Sequence, residues 1–427
     1  MRQLLTSTTI LAAFQWLFFI FANTFVIPIS IGTAFHLTPE VIAVTMRISF
    51  IFTGTACILQ GLIGHRFSLM EGHGGLWWGL MIGLAASAPS VGISYTTLGG
   101  GLATGILLSG IVIILLGLLN WVHLIQKLFT PMVMTVYLFL LSIQLTFIFF
   151  NGMIKVTGKG NIDIPVTLFS LFLVFIVIFI SIKGKGMISN FAILIGIIIG
   201  WGFYVLLFGA NKSAESAAFA HLTLFPLGKP NFEVGIVIIG FIGGLLSLSN
   251  SFTSIYAAES LYKQSLSKKG TRNSLILTGF YGCLTAFFGL VPFATYTSSI
   301  GFLESTRILD RKPFILAGAL VTLLGIISPF GSFLASMPIT VGNAVLFVAY
   351  IQMFGTTLKG IKDFQFNSKT IYRIAIPVLI GVCIMNMSPT LFSNLPMYIR
   401  PLLSNGLLMG ILLSIFLDKL VVWSKYD

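Results

Sequence analysis

Three short stretches carry polar or ionisable side chains inside an otherwise apolar sequence. The first, Phe67-Ser68-Leu69-Met70-Glu71-Gly72-His73-Gly74-Gly75, sets a carboxylate and an imidazole two residues apart. Ionisable groups within a membrane protein are rare and costly, so Glu71 and His73 are candidates for proton handling and ligand contact. The second, Ser247-Leu248-Ser249-Asn250-Ser251-Phe252-Thr253-Ser254, has Ser247, Asn250 and Ser254 at i, i+3 and i+7, on one face of a helix. The Asn250 amide offers a donor and an acceptor, which suits a planar ligand with lactam N–H and C=O edges. The plainer alternative is hydrogen bonding between helices. The third, Pro292-Phe293-Ala294-Thr295-Tyr296-Thr297-Ser298-Ser299-Ile300-Gly301, adds Ser298, Ser299 and Gly301.

Glu71 has an alternative reading as a solvated residue at a cytoplasmic mouth, and His73 one as a packing residue. Glu304 and Arg307, three apart, read as an i, i+3 ion pair, and Arg47 is assigned no role beyond snorkelling or binding a carbonyl. Cys57, Cys283 and Cys383 lie in apolar runs without metal-ligand spacing and are expected to pack. No nucleophile–base pair or HExxH arrangement is present, so an enzyme is the least expected class, and neither cofactor nor metal is expected.

The elements that must position these residues are membrane helices. Of 427 residues, 56% are hydrophobic and 8% charged, against about 25% charged in an ordinary soluble domain. Apolar residues run from end to end, which excludes a soluble head on a single anchor. The first apolar run, from about Ile10 to Gly32, exceeds a signal-peptide core and reads as a retained span. Fourteen spans are predicted, at 9–34, 38–63, 73–88, 98–120, 127–149, 164–182, 188–209, 233–260, 272–291, 298–309, 314–334, 337–355, 371–391 and 402–421.

The net charge of +13 distributes unevenly over this topology. Arg2, Arg66, Lys127, Lys183, Lys185, Lys263, Lys268, Lys269, Arg272, Arg307, Arg311, Lys312, Lys359, Lys362, Lys369, Arg373, Lys419 and Lys425 fall on the side of the termini. Lys155, Lys159, Lys212, Lys229 and Arg400 fall opposite. The positive-inside rule then puts both termini in the cytoplasm of a multi-pass cell-membrane protein. The charge is explained by topology and anionic lipid, so nucleic acid is not expected as a partner.

Spans 3 and 10 are too short to cross as helices. Each reads as an extended stretch followed by a half-helix, starting near Gly72 and near Ser299. Irregular backbone at that depth must be buried in protein or line a cavity, and such paired interruptions point to a transporter binding site. Free N–H groups at the two half-helix starts offer donors to carbonyl or anionic ligand atoms, and Gly72, Gly74, Gly75 and Gly301 permit close approach. Interruptions in spans 3 and 10 imply two seven-span repeats, about 1–212 and 230–427, which the odd count inverts in the membrane. Glycine spacing gives the same alignment: Gly61 precedes Gly72 by 11 residues and Gly289 precedes Gly301 by 12.

On these residues the chain resembles the nucleobase/ascorbate transporter family, the uracil and xanthine permeases. The family signature is an acid, Gln or Pro, then Asn, any residue, Gly, four residues, Thr and a basic residue or Gly. Here it reads Ser298-Ser299-Ile300-Gly301-Phe302-Leu303-Glu304-Ser305-Thr306-Arg307, matching at Gly301, Thr306 and Arg307. Gln15, with Trp16 in place of a histidine, Gln60-Gly61 with Gly64 and Glu71-Gly72, and Ser336-Met337-Pro338 with Gly342 are similar in order. So are Ser388-Pro389 through Leu395-Pro396 and Asn405-Gly406.

The resemblance implies an all-α polytopic fold of 14 segments in two inverted repeats. It also implies a core of spans 1–4 and 8–11, a gate of spans 5–7 and 12–14, and short strands in spans 3 and 10. It further implies proton-coupled uptake of a nucleobase such as a purine, and a homodimer formed through the gate. The family's two acids match Asn250 and Ser298 here, so both signature carboxylates are absent. Proton coupling then falls to Glu71 or His73, and the substrate-binding candidates are Asn250, Ser254, Ser298, Ser299, Gly301, Glu71, Gly72, His73 and Gly75. Two other readings stay open: transport of another solute such as an inorganic anion, or a non-transporting receptor or regulator on the same fold.

Overall fold

The computed structural model describes residues 7–89, 92–121, 130–156, 160–185, 187–190, 192–209, 222–327, 337–362, 364–392, 394–396, 399–421 and 423. Ser336, the basic residues Arg2, Lys127, Lys159, Lys212 and Lys425, and both chain ends lie outside the described residues. Every expected span has a counterpart. Span 1 is Ser7–Thr24 continued by Val26–Ala34, span 2 Pro39–Leu62, span 4 Tyr95–Leu118, span 5 Pro131–Met153, span 6 Ile164–Lys183 and span 7 Ala192–Phe208. In the second half, span 8 is Val234–Tyr262, span 9 Lys268–Phe287, span 11 Arg311–Ile326, span 12 Ile339–Ile361, span 13 Ser368–Asn386 and span 14 Gly406–Leu420.

The two short spans are built as expected, with their starts slightly displaced. Span 3 is strand β1 (Glu71–His73) and a half-helix Gly75–Ser87, and span 10 is strand β2 (Phe293–Thr295) and a half-helix Ser298–Thr306. β1 and β2 pair antiparallel, Glu71 opposite Thr295, Gly72 opposite Ala294 and His73 opposite Phe293.

Helix ends follow local chemistry. Ser94, Thr130, Asp163, Ser267, Asp310, Asn367 and Asn405 each accept a hydrogen bond from a first-turn N–H, starting spans 4, 5, 6, 9, 11, 13 and 14. The half-helices of spans 3 and 10 start without such a cap, behind Gly74 and Thr297.

The packing pattern maps onto itself when shifted by seven spans. Span 4 packs on span 9 as span 2 packs on span 11, and span 4 on span 8 as span 1 on span 11. Spans 6 and 7 pair as 13 and 14 do, and spans 5 and 12 pair with each other. The two heaviest crossings use glycine in the same way. A Cβ on Gly318 would lie 2.9 Å from the Gly54 carbonyl oxygen, and one on Gly110 the same distance from that of Gly279. Only side-chain-free backbones fit so closely. Gly61 and Gly289 are not equivalent, however: Gly61 is inside a helix, while Gly289 turns the chain into β2 at φ +64°. The repeat is thus carried by which spans pack together, and the glycine spacing is coincidental.

Burial separates inner from outer helices. Trp16, Phe50, Trp77, Phe149 and Phe314 are fully buried, whereas span 6 leaves Leu168, Phe172, Phe175, Phe179 and Ile182 exposed, an apolar stripe suited to lipid. Cys57 is buried and Cys283 half-buried, but Cys383 is exposed on span 13, so packing accounts for only part of the cysteine set. Arg47 binds the Gly325 carbonyl at 3.3 Å. Glu304 is exposed and forms no ion pair with Arg307 among the described residues, because Arg307 takes a left-handed backbone (φ 57°) that ends the half-helix.

Candidate functional site

Two strands alone at membrane depth leave backbone groups on their outer edges, and each must find a partner. On β1 the Glu71 N–H donates to Cys57 Sγ at 3.4 Å, and the Cys57 thiol donates to the Glu71 carbonyl at 3.5 Å. On β2 the Thr295 N–H donates to Ser251 Oγ at 3.2 Å. The Thr295 carbonyl accepts from Asn250 Nδ2 at 3.1 Å and from Ser254 Oγ at 3.0 Å. The polar run on span 8 is therefore the edge partner of β2. The strand ends are tied as well: Gly74 N–H donates to the Pro292 carbonyl and Tyr296 N–H to the Met70 carbonyl, each at 2.8 Å. Met70 N–H donates to Ser299 Oγ at 3.0 Å.

Glu71 and His73 point behind the strands, between spans 2 and 9. Span 2 presents Ser49, Thr53, Cys57 and Gln60, at i, i+4, i+8 and i+11, all fully buried. Ser49 Oγ and His73 Nε2 lie 2.5 Å apart, and His73 Nδ1 donates to the Val291 carbonyl at 2.8 Å. The Glu71 carboxyl accepts from Thr278 Oγ1 on span 9 at 2.7 Å and from Thr295 Oγ1 at 2.8 Å. Gln60 Nε2 in turn donates to Thr278 Oγ1 at 3.2 Å. Glu71 has no exposed surface, so it is not a solvated residue at a mouth. Hydroxyls donate to a carboxylate and accept from a carboxylic acid, so this pair of threonines satisfies Glu71 in either protonation state.

Toward the other side stand Asn250, Tyr296, Thr297, Ser298 and Gly301. Asn250 is half-buried; its Oδ1 accepts from Thr297 Oγ1 at 3.0 Å, and Ser254 Oγ lies 2.8 Å from the same Thr297 hydroxyl. The Asn250 amide keeps one N–H and one lone pair beyond these bonds. Tyr296 donates to the His73 carbonyl at 2.6 Å. Ser298 and Gly301 are exposed, and a Cβ on Gly301 would meet nothing within 4 Å. Gly75 faces Leu141 on span 5 and the Tyr350 hydroxyl on span 12. Trp78, Phe149 and Tyr350 close this junction, with ring centroids 5.0 to 5.9 Å apart.

The nine sequence candidates thus fall into two groups around one strand pair. Gly75, Asn250, Ser298 and Gly301 keep accessible surface. Glu71, Gly72, His73, Ser254 and Ser299 are buried and spent on holding the strands. Sequence reasoning missed Thr295, Thr297, Thr278 and Ser49. The polar stripe on span 2 at helical spacing was the signal available for Ser49, and the third polar stretch held Thr295 and Thr297; the link of Thr295 to Glu71, like that of Thr278 on span 9, stayed hidden because it joins residues more than 200 apart.

The family model Xan_ur_permease, described as Permease family, matches residues 7–390. The chain is 31% identical over 426 residues to YwdJ of Bacillus subtilis (strain 168), covering 97% of this chain and 96% of that one. It is 24% identical over 414 residues to the uric acid permease PucJ of the same organism, covering 93% and 89%. Among solved structures, the transmembrane domain of a cyanobacterium bicarbonate transporter, BicA, superimposes with a TM-score of 0.63 at 15% identity, covering 96% of this chain and 98% of that one. At that identity the likeness shows the fold alone.

Proposed function

The chain belongs to the permease family, and from that membership we propose that it imports a purine base with a proton, by alternating access. The uric acid specificity of PucJ supports a purine. The observation that carries the reading is the strand pair, which has an amide with spare donor and acceptor and two half-helix starts beside it and a buried carboxyl behind it.

In this reading Asn250 bonds a lactam edge of the base, while Ser298 and the uncapped half-helix start beside it reach the opposite edge. Gly75 and Gly301 let the ring approach the backbone. Ser254, Ser299 and Gly72 keep the strands in place. Glu71 carries the coupling proton. His73 is the weaker candidate, since both ring nitrogens are already engaged in fixing the strand, Nδ1 by the Val291 carbonyl and Nε2 by the Ser49 hydroxyl.

Spans 1–4 and 8–11, within the repeats 1–212 and 230–427, form the core that holds the site. Spans 5–7 and 12–14 form a gate that moves against it, and two copies pair through the gate. The basic-residue bias supports cytoplasmic termini in the cell membrane.

The test is uptake of radiolabelled xanthine and uric acid in a strain lacking its own purine uptake, with unlabelled bases as competitors. Uptake should rise as external pH falls, because a lower pH outside steepens the inward proton gradient. Glu71→Gln should flatten that dependence. Movement of no nucleobase, together with no change on Asn250→Ala, would overturn the site assignment.

A further inference from the structure

Among the described residues, Thr295 is the one bonded both to Glu71 and to the polar run of span 8. Its hydroxyl donates to Glu71 Oε2, its carbonyl accepts from Asn250 and Ser254, and its N–H donates to Ser251. The strand is fully buried here, and Thr295 is directly opposite Glu71 in the register. We infer that Thr295 is the positioning residue through which the protonation state of Glu71 reaches the base-binding side of the strands. This rests on the reading of Glu71 as the coupling acid.

The step balances simply. A proton delivered by water from the acidic side forms an O–H bond on the Glu71 carboxylate, cancelling its charge. The Thr295 hydroxyl then loses an anionic acceptor and turns from donor to acceptor or to another partner. When the proton returns to water on the other side, the carboxylate again demands the Thr295 hydrogen. A hydrogen bond to a charge is roughly twice as strong as a neutral one, so the pull on β2 differs between the two states. Thr295 passes that difference to Asn250, and Asn250 to Thr297.

Thr278, the other hydroxyl on Glu71, leads only to Gln60 and span 9. The other titratable groups around Glu71 are Cys57 on span 2, Tyr281 on span 9, His73 on β1 and Tyr296 after β2. No lysine or arginine among the described residues bonds to it.

Purified protein in liposomes separates the possibilities. Radiolabelled xanthine and uric acid serve as probes in two assays: accumulation driven by an acid-outside gradient, and counterflow exchange at equal pH. Thr295→Val keeps shape and backbone but removes the hydroxyl. Gradient-driven accumulation should fall about tenfold or more, the scale of one lost bond to a charged group. Counterflow should persist, and Thr295→Ser should restore coupling.

Wild-type gradient dependence in Thr295→Val overturns the inference. If Glu71→Gln is flat in that case, only the inference fails; if Glu71→Gln is also gradient-dependent, the reading of Glu71 itself fails. Should Thr295→Val not reach the membrane, infrared difference spectra of the wild type with and without xanthine or uric acid decide. A Glu71 carboxyl band that shifts on binding supports the link, and an unmoved band overturns it.

Discussion

Asn250 spends one amide hydrogen on the Thr295 carbonyl and one lone pair on the Thr297 hydroxyl, so it is a structural clasp as well as the ligand group proposed above. Asn250→Ala removes both bonds and should lower stability by about 1–3 kcal/mol as well as uptake. Asn250→Asp is more telling, because it places an acid at the position that the resemblance aligns with a signature carboxylate. A carboxylate accepts but does not donate, so the Thr295 carbonyl would lose its Asn250 partner. Thermal unfolding of purified Asn250→Asp should therefore show a loss comparable to Asn250→Ala at neutral pH, recovering as the pH falls and the side chain regains a hydrogen. A variant as stable as wild type throughout would show that the clasp is dispensable. At this scale the sequence was informative about residue type and less so about orientation. Glu71, Asn250 and Ser254 stood out as polar residues in apolar runs, yet nothing in their spacing revealed that Glu71 faces away from Asn250, with Thr295 between them.

Elements were more legible, because helix ends and interruptions are written locally. Turn and cap residues mark most starts, and runs too short to cross a membrane marked spans 3 and 10. What stayed hidden were contacts between elements distant in sequence. Arg373 on span 13 and Asp418 on span 14 form an ion pair, with the Asp418 side chain only 7% exposed and the Arg373 guanidinium 5.7 Å from the Trp423 ring centroid. The Arg373 side chain is 26% exposed, so removing it leaves the Asp418 charge only partly desolvated, at a cost of about 1–3 kcal/mol. Arg373→Ala should thus lower the melting temperature more than the double change Arg373→Leu with Asp418→Leu, which leaves no orphan charge. Equal losses would mean that the pair is effectively solvated. The glycine crossings make a paired prediction. Gly318→Val and Gly110→Val should each destabilise by about 1–3 kcal/mol or more through overpacking against a carbonyl. Because the two crossings are related by the repeat, the losses should be similar, as melting of each purified variant would show.

For the whole molecule, the repeat explains how short strands can stand among membrane helices: each half contributes one strand and one half-helix, and neither strand could satisfy its backbone alone. A different division, the proposed one of spans 1–4 and 8–11 against spans 5–7 and 12–14, sets where motion should occur. Contacts between the two groups of spans run through few places, among them the span 3 half-helix against span 5, where a Cβ on Gly79 would lie 3.2 Å from Leu141 Cδ1. A cleft of about 790 Å³ lined by Phe21, Phe25, Ile197 and Trp201 separates spans 1 and 7, so packing between the groups is incomplete there. If spans 5–7 and 12–14 move against the rest, joining the groups should stop transport without emptying the site. The double variant Gly79→Cys with Leu141→Cys sets one thiol on each side of this contact, and non-reducing electrophoresis of the purified protein reads whether a disulfide has joined them. Oxidation should abolish uptake of radiolabelled xanthine and uric acid, reduction should restore it, and each single variant should be indifferent to both. Binding of the base, read as thermal stabilisation of the oxidised protein, should persist, since a ligand for the folded state still raises its apparent stability. Undiminished uptake by fully cross-linked protein would show that spans 3 and 5 travel together, and the moving boundary would have to be redrawn between other helices.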